Sequence, residues 1–308
     1  MHIRIGTRGS KLALWQAEYV AESLKKGGAQ AELVIIETKG DKIQNKALSK
    51  IGSKGVFTEE LEQQLREKQI DIAVHSAKDV QSNLDDDLSL IAFGKREQVN
   101  DVVISFNGDA RLDTLSSSYI IGTSSTRRIA QLKYYYPKIR TADVRGNLQT
   151  RLKKLEKGNY DALILAFAGV HRMGYDQHIV EHLSTDKFTP AVGQGSVAIE
   201  AAKNLDPDKL ALIRQQINHE DTEKCLRAER AFLRTLEGGC SIPVFGLASL
   251  QNNQITLNGG IISLGGEQLV KEAVTGPYQE AENLGKQLAE SILQSGGGEI
   301  LSEIKANL

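Results

Sequence analysis

The chain has 308 residues, with 38 Lys and Arg against 39 Asp and Glu and a formal net charge of -1. This length calls for two or three domains rather than one core, and the charge balance excludes the basic excess of a nucleic-acid binder. The longest apolar runs, such as Leu33-Val34-Ile35-Ile36, are far too short to span a bilayer, and two cysteines exclude a disulfide scaffold and fit a reducing cytoplasm.

Met1-His2-Ile3-Arg4-Ile5 opens directly into a strand without a charged-then-apolar leader, so no signal peptide is read there. The strand from His2 to Thr7 precedes Ser10, a helix cap, and Ala13, Ala17, Val20 and Leu24 then share one helical face up to Gly27-Gly28. Leu33 to Thr38 is a second strand. Phe57, Leu61 and Leu65 stripe a helix that runs into the strand Asp71 to His75. Strands alternating with helices imply βαβ units and a mainly parallel sheet. The middle of the chain repeats this. Tyr119-Ile120-Ile121 leads into a helix carrying Ile129 and Leu132, Leu148, Leu152 and Leu155 mark another, and Asp161 to Ala166 is a buried strand. Ile5-Gly6-Thr7 echoes Ile121-Gly122-Thr123, and Gln69 to Val74 echoes Asn159 to Ile164. The echoes predict two similar α/β domains facing one another across a central cleft. Thr222 to Leu236 then reads as a helix. Pro243 to Leu250, Ile255 to Asn258 and Leu269 to Val274 read as strands and Ala281, Leu284 and Leu288 as a closing helix, which makes a small α+β C-terminal domain.

The chemistry concentrates in turns. Arg8 lies in Gly6-Thr7-Arg8-Gly9-Ser10, Arg127 and Arg128 follow Gly122-Thr123-Ser124-Ser125-Thr126, Arg145 and Arg151 flank Gly146 to Thr150, and Arg172 follows His171. Guanidinium groups at helix starts in a neutral protein suit a compact small molecule with several carboxylates or phosphates. His75-Ser76-Ala77-Lys78-Asp79-Val80 ends a buried strand with an abrupt polar run. Read blandly it is a solvated loop. Read more sharply, Ser76 and Lys78 hold an anion and Asp79 stabilises a cation or accepts a proton. Cys240 after Gly238-Gly239 is either a buried structural cysteine or a covalent attachment point. Lys54, in a polar stretch long for a connection, is a surface lysine or part of a lid over an anion. Gly193-Gln194-Gly195-Ser196-Val197-Ala198 matches a dinucleotide pattern but lacks the preceding strand and the acidic partner, so it reads as a crossover instead. No Cys-x-x-Cys spacing is present, and no structural zinc site is read.

In this order, Thr7-Arg8-Gly9-Ser10, Lys54-Gly55-Val56-Phe57, His75 to Val80, Gly122 to Arg128, Arg145-Gly146-Asn147, Pro190 to Gly195 and Leu236-Glu237-Gly238-Gly239-Cys240 resemble the porphobilinogen deaminase family. The resemblance implies two periplasmic-binding-protein-like (type II) α/β domains, 1–98 with 195–216 and 99–194, and a third domain, 217–308. It implies a dipyrromethane cofactor attached through Cys240, on which four porphobilinogen molecules condense head to tail with loss of ammonia before water releases hydroxymethylbilane. Asp79 is then the catalytic carboxylate. Ser76, Lys78, Thr123, Ser125, Arg127, Arg128 and Gly146 bind the cofactor, and Arg8, Ser10, Lys54, Arg145, Arg151, Arg172 and Gln194 bind substrate. A cytoplasmic monomer with no metal, no nucleic acid and no membrane partner, handing its product to uroporphyrinogen III synthase, completes what the resemblance implies. Gln81 and Thr126 depart from the family pattern, where proline and leucine are common. Two competing readings are a non-enzymatic two-lobed binding protein for a carboxylated solute and a cysteine-nucleophile acyl or amido transferase. The second needs a histidine near Cys240, and only His219 lies at the edge of the third domain.

Overall fold

The computed structural model describes residues 1–42, 58–108, 110–239 and 241–307, with only the backbone of 41 and 42. The chain divides into two compact units, Met1–Glu97 with Gly195–Lys224 and Gln98–Gln194 with Cys225–Leu308. Its elements follow as β1 (His2–Thr7), α1 (Lys11–Lys26), β2 (Gln30–Ile35), α2 (Lys39–Lys42), α3 (Glu59–Arg66), β3 (Ile72–Ser76), β4 (Leu88–Phe93), β5 (Asp101–Ile104), β6 (Ile120–Gly122), α4 (Thr126–Tyr135), β7 (Arg140–Ala142), α5 (Leu148–Glu156), β8 (Ala162–Ala166), α6 (Phe167–Arg172), β9 (Ile179–His182) and β10 (Val197–Ala202). Then come α7 (Pro207–Ile217), α8 (Glu220–Thr235), β11 (Val244–Gln251), β12 (Gln254–Ile262), β13 (Leu269–Pro277), α9 (Ala281–Ile292) and α10 (Gly298–Ala306). No described helix is long and apolar enough to cross a membrane.

In the first unit, Ser10 caps α1 by accepting from the Ala13 N–H, and Lys25 and Lys26 sit in the last turn against the negative helix end. The helix buries Ala17, Val20, Ala21 and Leu24 with Ile3 and Ile5 of β1, Ile72 and Val74 of β3 and Ile199 of β10. The second strand begins earlier than the apolar run predicts. It pairs with β1 from His2↔Gln30 to Thr7↔Ile35, because Gly28, at φ 84°, turns the chain directly into register. As an edge strand with exposed Gln30 and Glu32, β2 has little hydrophobic signature.

The first unit's sheet has the order β2-β1-β3-β10-β4 and the second unit's has β7-β6-β8-β5-β9. Each has parallel pairs at β1/β2, β1/β3 and β6/β7, β6/β8. Each also has antiparallel pairs, at β10/β3, β10/β4 and β5/β8, β5/β9. Both sheets are therefore mixed rather than mainly parallel. The antiparallel fourth strand in each case, β10 or β5, is the first strand after the chain passes from one unit to the other.

The sequence echoes occupy equivalent places. Gly6 lies one residue from the end of β1 and Gly122 ends β6, and a Cβ on either would overlap a neighbouring side chain, Ile70 at Gly6 and Leu163 and Tyr160 at Gly122. Asp71 accepts from the Arg4 N–H at 2.8 Å and returns its own N–H to the Arg4 carbonyl, while Asp161 does the same with Ile120, at 2.7 Å. Each aspartate pins the strand after its helix to the second strand in its sheet's order, β1 or β6.

The second unit also carries the antiparallel sheet β11-β12-β13. It packs on α8 and α9 through Phe232, Leu236, Leu257, Leu284 and Leu288. Buried Glu229 of α8 accepts from the Gly193 and Ala248 N–H groups, both at 2.8 Å, which ties the turn before Gln194 to β11. The closing segment extends past the predicted helix: Ser295 and Gly296, the latter at φ 101°, break it, and α10 continues with Ile300, Leu301 and Ile304 in the same core.

Burial pushes the Asp71 carboxyl up, but hydrogen bonds from Arg4 and Lys209 outweigh it and hold the group below its ordinary value. A depressed folded value means that its stabilisation is complete above the unfolded pKa, near ~3.9, and is lost as pH falls through the folded one. Asp71→Asn should cost about 1–3 kcal/mol at pH 7, measured by urea unfolding. The gap from the parent chain should close as the pH is lowered below ~4.

Candidate functional site

In the first unit, β3 delivers His75 and Ser76 and then tightens into a 3-10 turn over Ala77–Asp79. The buried Ala77 donates its N–H to the Ser196 carbonyl at 2.9 Å. That anchor leaves Lys78 half-buried and Asp79 exposed. A recess is lined by Arg8, Ser10, Gln16, His75, Ser76 and Asp79, among others. Four residues expected at the site, Arg8, Ser10, Ser76 and Asp79, thus meet around one concavity. The Ser10 hydroxyl also caps α1, at 3.3 Å from the Ala13 N–H.

Sequence reasoning did not assign two residues here. Gln16 projects from α1, donates from Nε2 to the Ser76 hydroxyl at 2.9 Å, and is only 3% exposed. Its signal was a polar residue beside Ala17 on the helix face otherwise filled by Val20 and Leu24. Glu200, fully buried on β10, lies 3.0 Å from His75 Nε2. A lone glutamate in Val197-Ala198-Ile199-Glu200-Ala201-Ala202 was the corresponding signal.

In the second unit, the loop after β6 turns into α4. Thr123 is buried and donates its N–H to the Ala142 carbonyl at 3.0 Å. The Ser124 hydroxyl donates to the Val144 carbonyl, and Ser125 caps α4 by accepting from the Arg128 N–H. One turn further along the sheet edge, Asn147 caps α5 and Gly146 takes φ 108°. The Gly146 carbonyl accepts from Arg151 Nε at 2.8 Å, so Arg145, Gly146 and Arg151 form one corner. Arg172 ends α6, half-buried.

Arg127 and Arg128 are 4% and 6% exposed, and both donate to Asp101, at the start of β5. Gln194, 1% exposed, donates from Nε2 to the same carboxylate at 2.9 Å and to the Val99 carbonyl at 2.7 Å. Sequence reasoning missed Asp101, which introduces the apolar run Val102-Val103-Ile104. Burial raises its carboxyl, but Arg127 and then Arg128 outweigh this and hold it well below the ordinary range. Burial, together with Arg128, lowers Arg127 against the opposing pull of Asp101. Two candidate residues, Lys54 and Cys240, lie outside the described residues. Cys225, buried in α8, is a packed core residue. The glycines of Gly193 to Ala198 precede strand β10 and open no helix, in accord with the rejected dinucleotide pattern.

Comparison with known proteins adds a family. The model for the porphobilinogen deaminase dipyromethane cofactor binding domain matches residues 3–209, and that for the porphobilinogen deaminase C-terminal domain matches residues 223–294. A porphobilinogen deaminase of Cytophaga hutchinsonii is 54% identical over 308 residues, covering 99% of this chain and 98% of that protein. Another, of Desulfosudis oleivorans, is 49% identical over 305 residues, covering 99% and 98%. Among solved structures, the methionine-binding protein MetQ aligns at 14% identity with a TM-score of 0.45, over 70% of this chain and 89% of that one.

At Gly146 both φ and space restrict the residue, since a Cβ would lie 2.5 Å from Thr150 Cγ2. Gly146→Ala should therefore destabilise the chain by about 1–3 kcal/mol and loosen the Arg151 contact. Denaturant unfolding measures the first effect. Faster proteolytic cleavage between Arg145 and Arg151 reports the second.

Proposed function

The chain belongs to the porphobilinogen deaminase family, and from that membership we propose how its residues carry the family's reaction. The chain is a transferase of tetrapyrrole biosynthesis that condenses four porphobilinogen molecules head to tail, releases ammonia at each step and frees hydroxymethylbilane with water. Its first two α/β sheets lie within the region matched by a dipyrromethane-binding family model. The described residues fit that carboxylate-rich group: the Nε atoms of Arg127 and Arg128 are buried donors with no hydrogen-bond partner, and Arg8, Ser10, Ser76 and Asp79 line an open recess. When bound, the dipyrromethane supplies the nucleophilic pyrrole carbon on which the chain of rings grows.

Asp79 is the catalytic residue. Its carboxylate, exposed at the recess and carried on a turn anchored to the neighbouring strand, accepts from pyrrole N–H groups. It stabilises the positive charge that develops on the substrate as the C–N bond of the aminomethyl group breaks, ammonia leaves and the methylene carbon stays on the ring. One oriented charge of this kind is worth about 3 kcal/mol, and holding the reacting carbons together contributes separately. Ser76, Lys78, Thr123, Ser125, Arg127, Arg128 and Gly146 hold the cofactor's acetate and propionate groups and backbone. Arg8, Ser10, Lys54, Arg145, Arg151, Arg172 and Gln194 hold those of substrate and growing product. Each added ring brings two more carboxylates, so product growth needs this many cationic and hydrogen-bonding groups. Cys240 carries the cofactor as a thioether.

The three-domain division at 1–98 with 195–216, 99–194 and 217–308 belongs to the same reading. The junctions between units at 97/98 and 194/195 support its first two boundaries, and the core that β11–β13, α8, α9 and α10 share supports the third. The protein acts as a cytoplasmic monomer and passes its product to uroporphyrinogen III synthase.

The observation that carries the assignment is Asp79 at a recess beside Arg8, Ser10 and Ser76, in a chain matching the family almost end to end. Asp79→Ala should retain porphobilinogen binding by calorimetry while ammonia release falls by about 100-fold or more. Near-parental ammonia release would remove Asp79 from the catalytic role.

A further inference from the structure

One carboxylate, two guanidinium groups and one amide meet at the first residue of β5. Asp101 Oδ2 accepts from Arg127 Nη2 at 2.8 Å, and Oδ1 accepts from Arg128 Nη2 at 2.7 Å and from Gln194 Nε2 at 2.9 Å. The carboxylate is fully buried. Arg127 Nη1 also donates to Gln131 Oε1 and the Thr189 carbonyl, at 2.9 and 3.0 Å, and Arg128 Nη1 donates to the Ile164 carbonyl at 3.1 Å.

Within the cluster, two positive charges face one negative charge. Like-charged groups this close repel strongly where water is scarce. A shared carboxylate lets them lie side by side and still leaves a surplus of one positive charge. The buried Nε donors of both arginines have no partner. Both residues belong to the first turn of α4, the positive end of the helix dipole. The cluster is therefore ordered on its inner side and short of one anion.

We propose that Asp101 is a positioning residue that fixes Arg127 and Arg128 as a paired receptor for a carboxylate before any ligand arrives. The proposal rests on the reading above, that these two arginines hold the dipyrromethane. Asp101 touches neither cofactor nor substrate and acts only through the arginines. Long, flexible side chains ordered in advance lose little freedom on binding. Gln194 closes the carboxylate's remaining side, so that the clamp cannot rotate away.

The sign of one substitution separates positioning from plain electrostatics. Asp101→Asn makes the cluster more positive, so charge alone would bind carboxylates more tightly. Loss of positioning binds them less well. The full-length chain, Asp101→Asn and Arg128→Gln are each produced without porphobilinogen, checked for folding by circular dichroism, and incubated with porphobilinogen. The mass added to the chain is then followed with time. Asp101→Asn is expected to gain cofactor mass roughly 10- to 100-fold more slowly than the parent, with Arg128→Gln also slow. Parental or faster loading by Asp101→Asn, with slow loading by Arg128→Gln, overturns the positioning role alone. Parental loading by Arg128→Gln overturns the cofactor reading on which the role rests. Should Asp101→Asn fail to fold, nitrogen-15 NMR of the parent apoprotein decides. Separate, slowly rotating Nη signals for Arg127 and Arg128 are expected, and exchange-averaged signals overturn the proposal.

Discussion

The carboxylate of Asp101 joins the second unit's sheet to the helix start that carries its most buried cations. Removing three charges from water costs several kcal/mol for each ion, and such a cluster persists only if its geometry and hydrogen bonds are good. Here they are: each carboxylate oxygen has a guanidinium partner, and carbonyls from Thr189 and Ile164 take up further donors. The cluster thereby ties together β5, β8, α4 and the segment that ends at Gln194, where the chain leaves the unit. A change at Asp101 therefore reaches every cationic group at the start of α4.

The two five-stranded sheets apply one plan with different chemistry. In each, the fourth strand runs antiparallel and carries a fully buried carboxylate, Glu200 on β10 and Asp101 on β5. Glu200 meets His75, whose neighbour Ser76 leads into the turn bearing Asp79. Asp101 meets two arginines. One sheet thus supports the exposed carboxylate proposed as catalytic, while the other supports the arginine pair proposed as a carboxylate receptor. A reaction that ionises an aminomethyl group on a polycarboxylate substrate needs both.

Much of this was legible in the sequence, because the informative residues are local. The echo of Gln69 to Val74 in Asn159 to Ile164 marks Asp71 and Asp161, which make the same backbone contacts in their sheets. The turns with Arg8, with Arg127 and Arg128, and with Arg145 and Gly146 fall at helix starts, where capping residues announce them. The antiparallel strands were less legible. Strands β4, β5, β9 and β10 are short and pair with residues far away in sequence, so no periodicity of their own distinguishes them. Asp101 and Glu200 were missed for a related reason: a single acidic residue in an apolar run acquires meaning only when its partners, 26 and 125 residues away, are known.

The proposed chemistry depends most directly on a dipyrromethane held by Cys240. The deciding measurement is the intact mass of the purified, denatured chain beside that of Cys240→Ser. The parent should exceed its sequence mass by two linked pyrrole units, and the variant should carry no addition. A parent chain at its unmodified mass, still unmodified after incubation with porphobilinogen, would contradict the account.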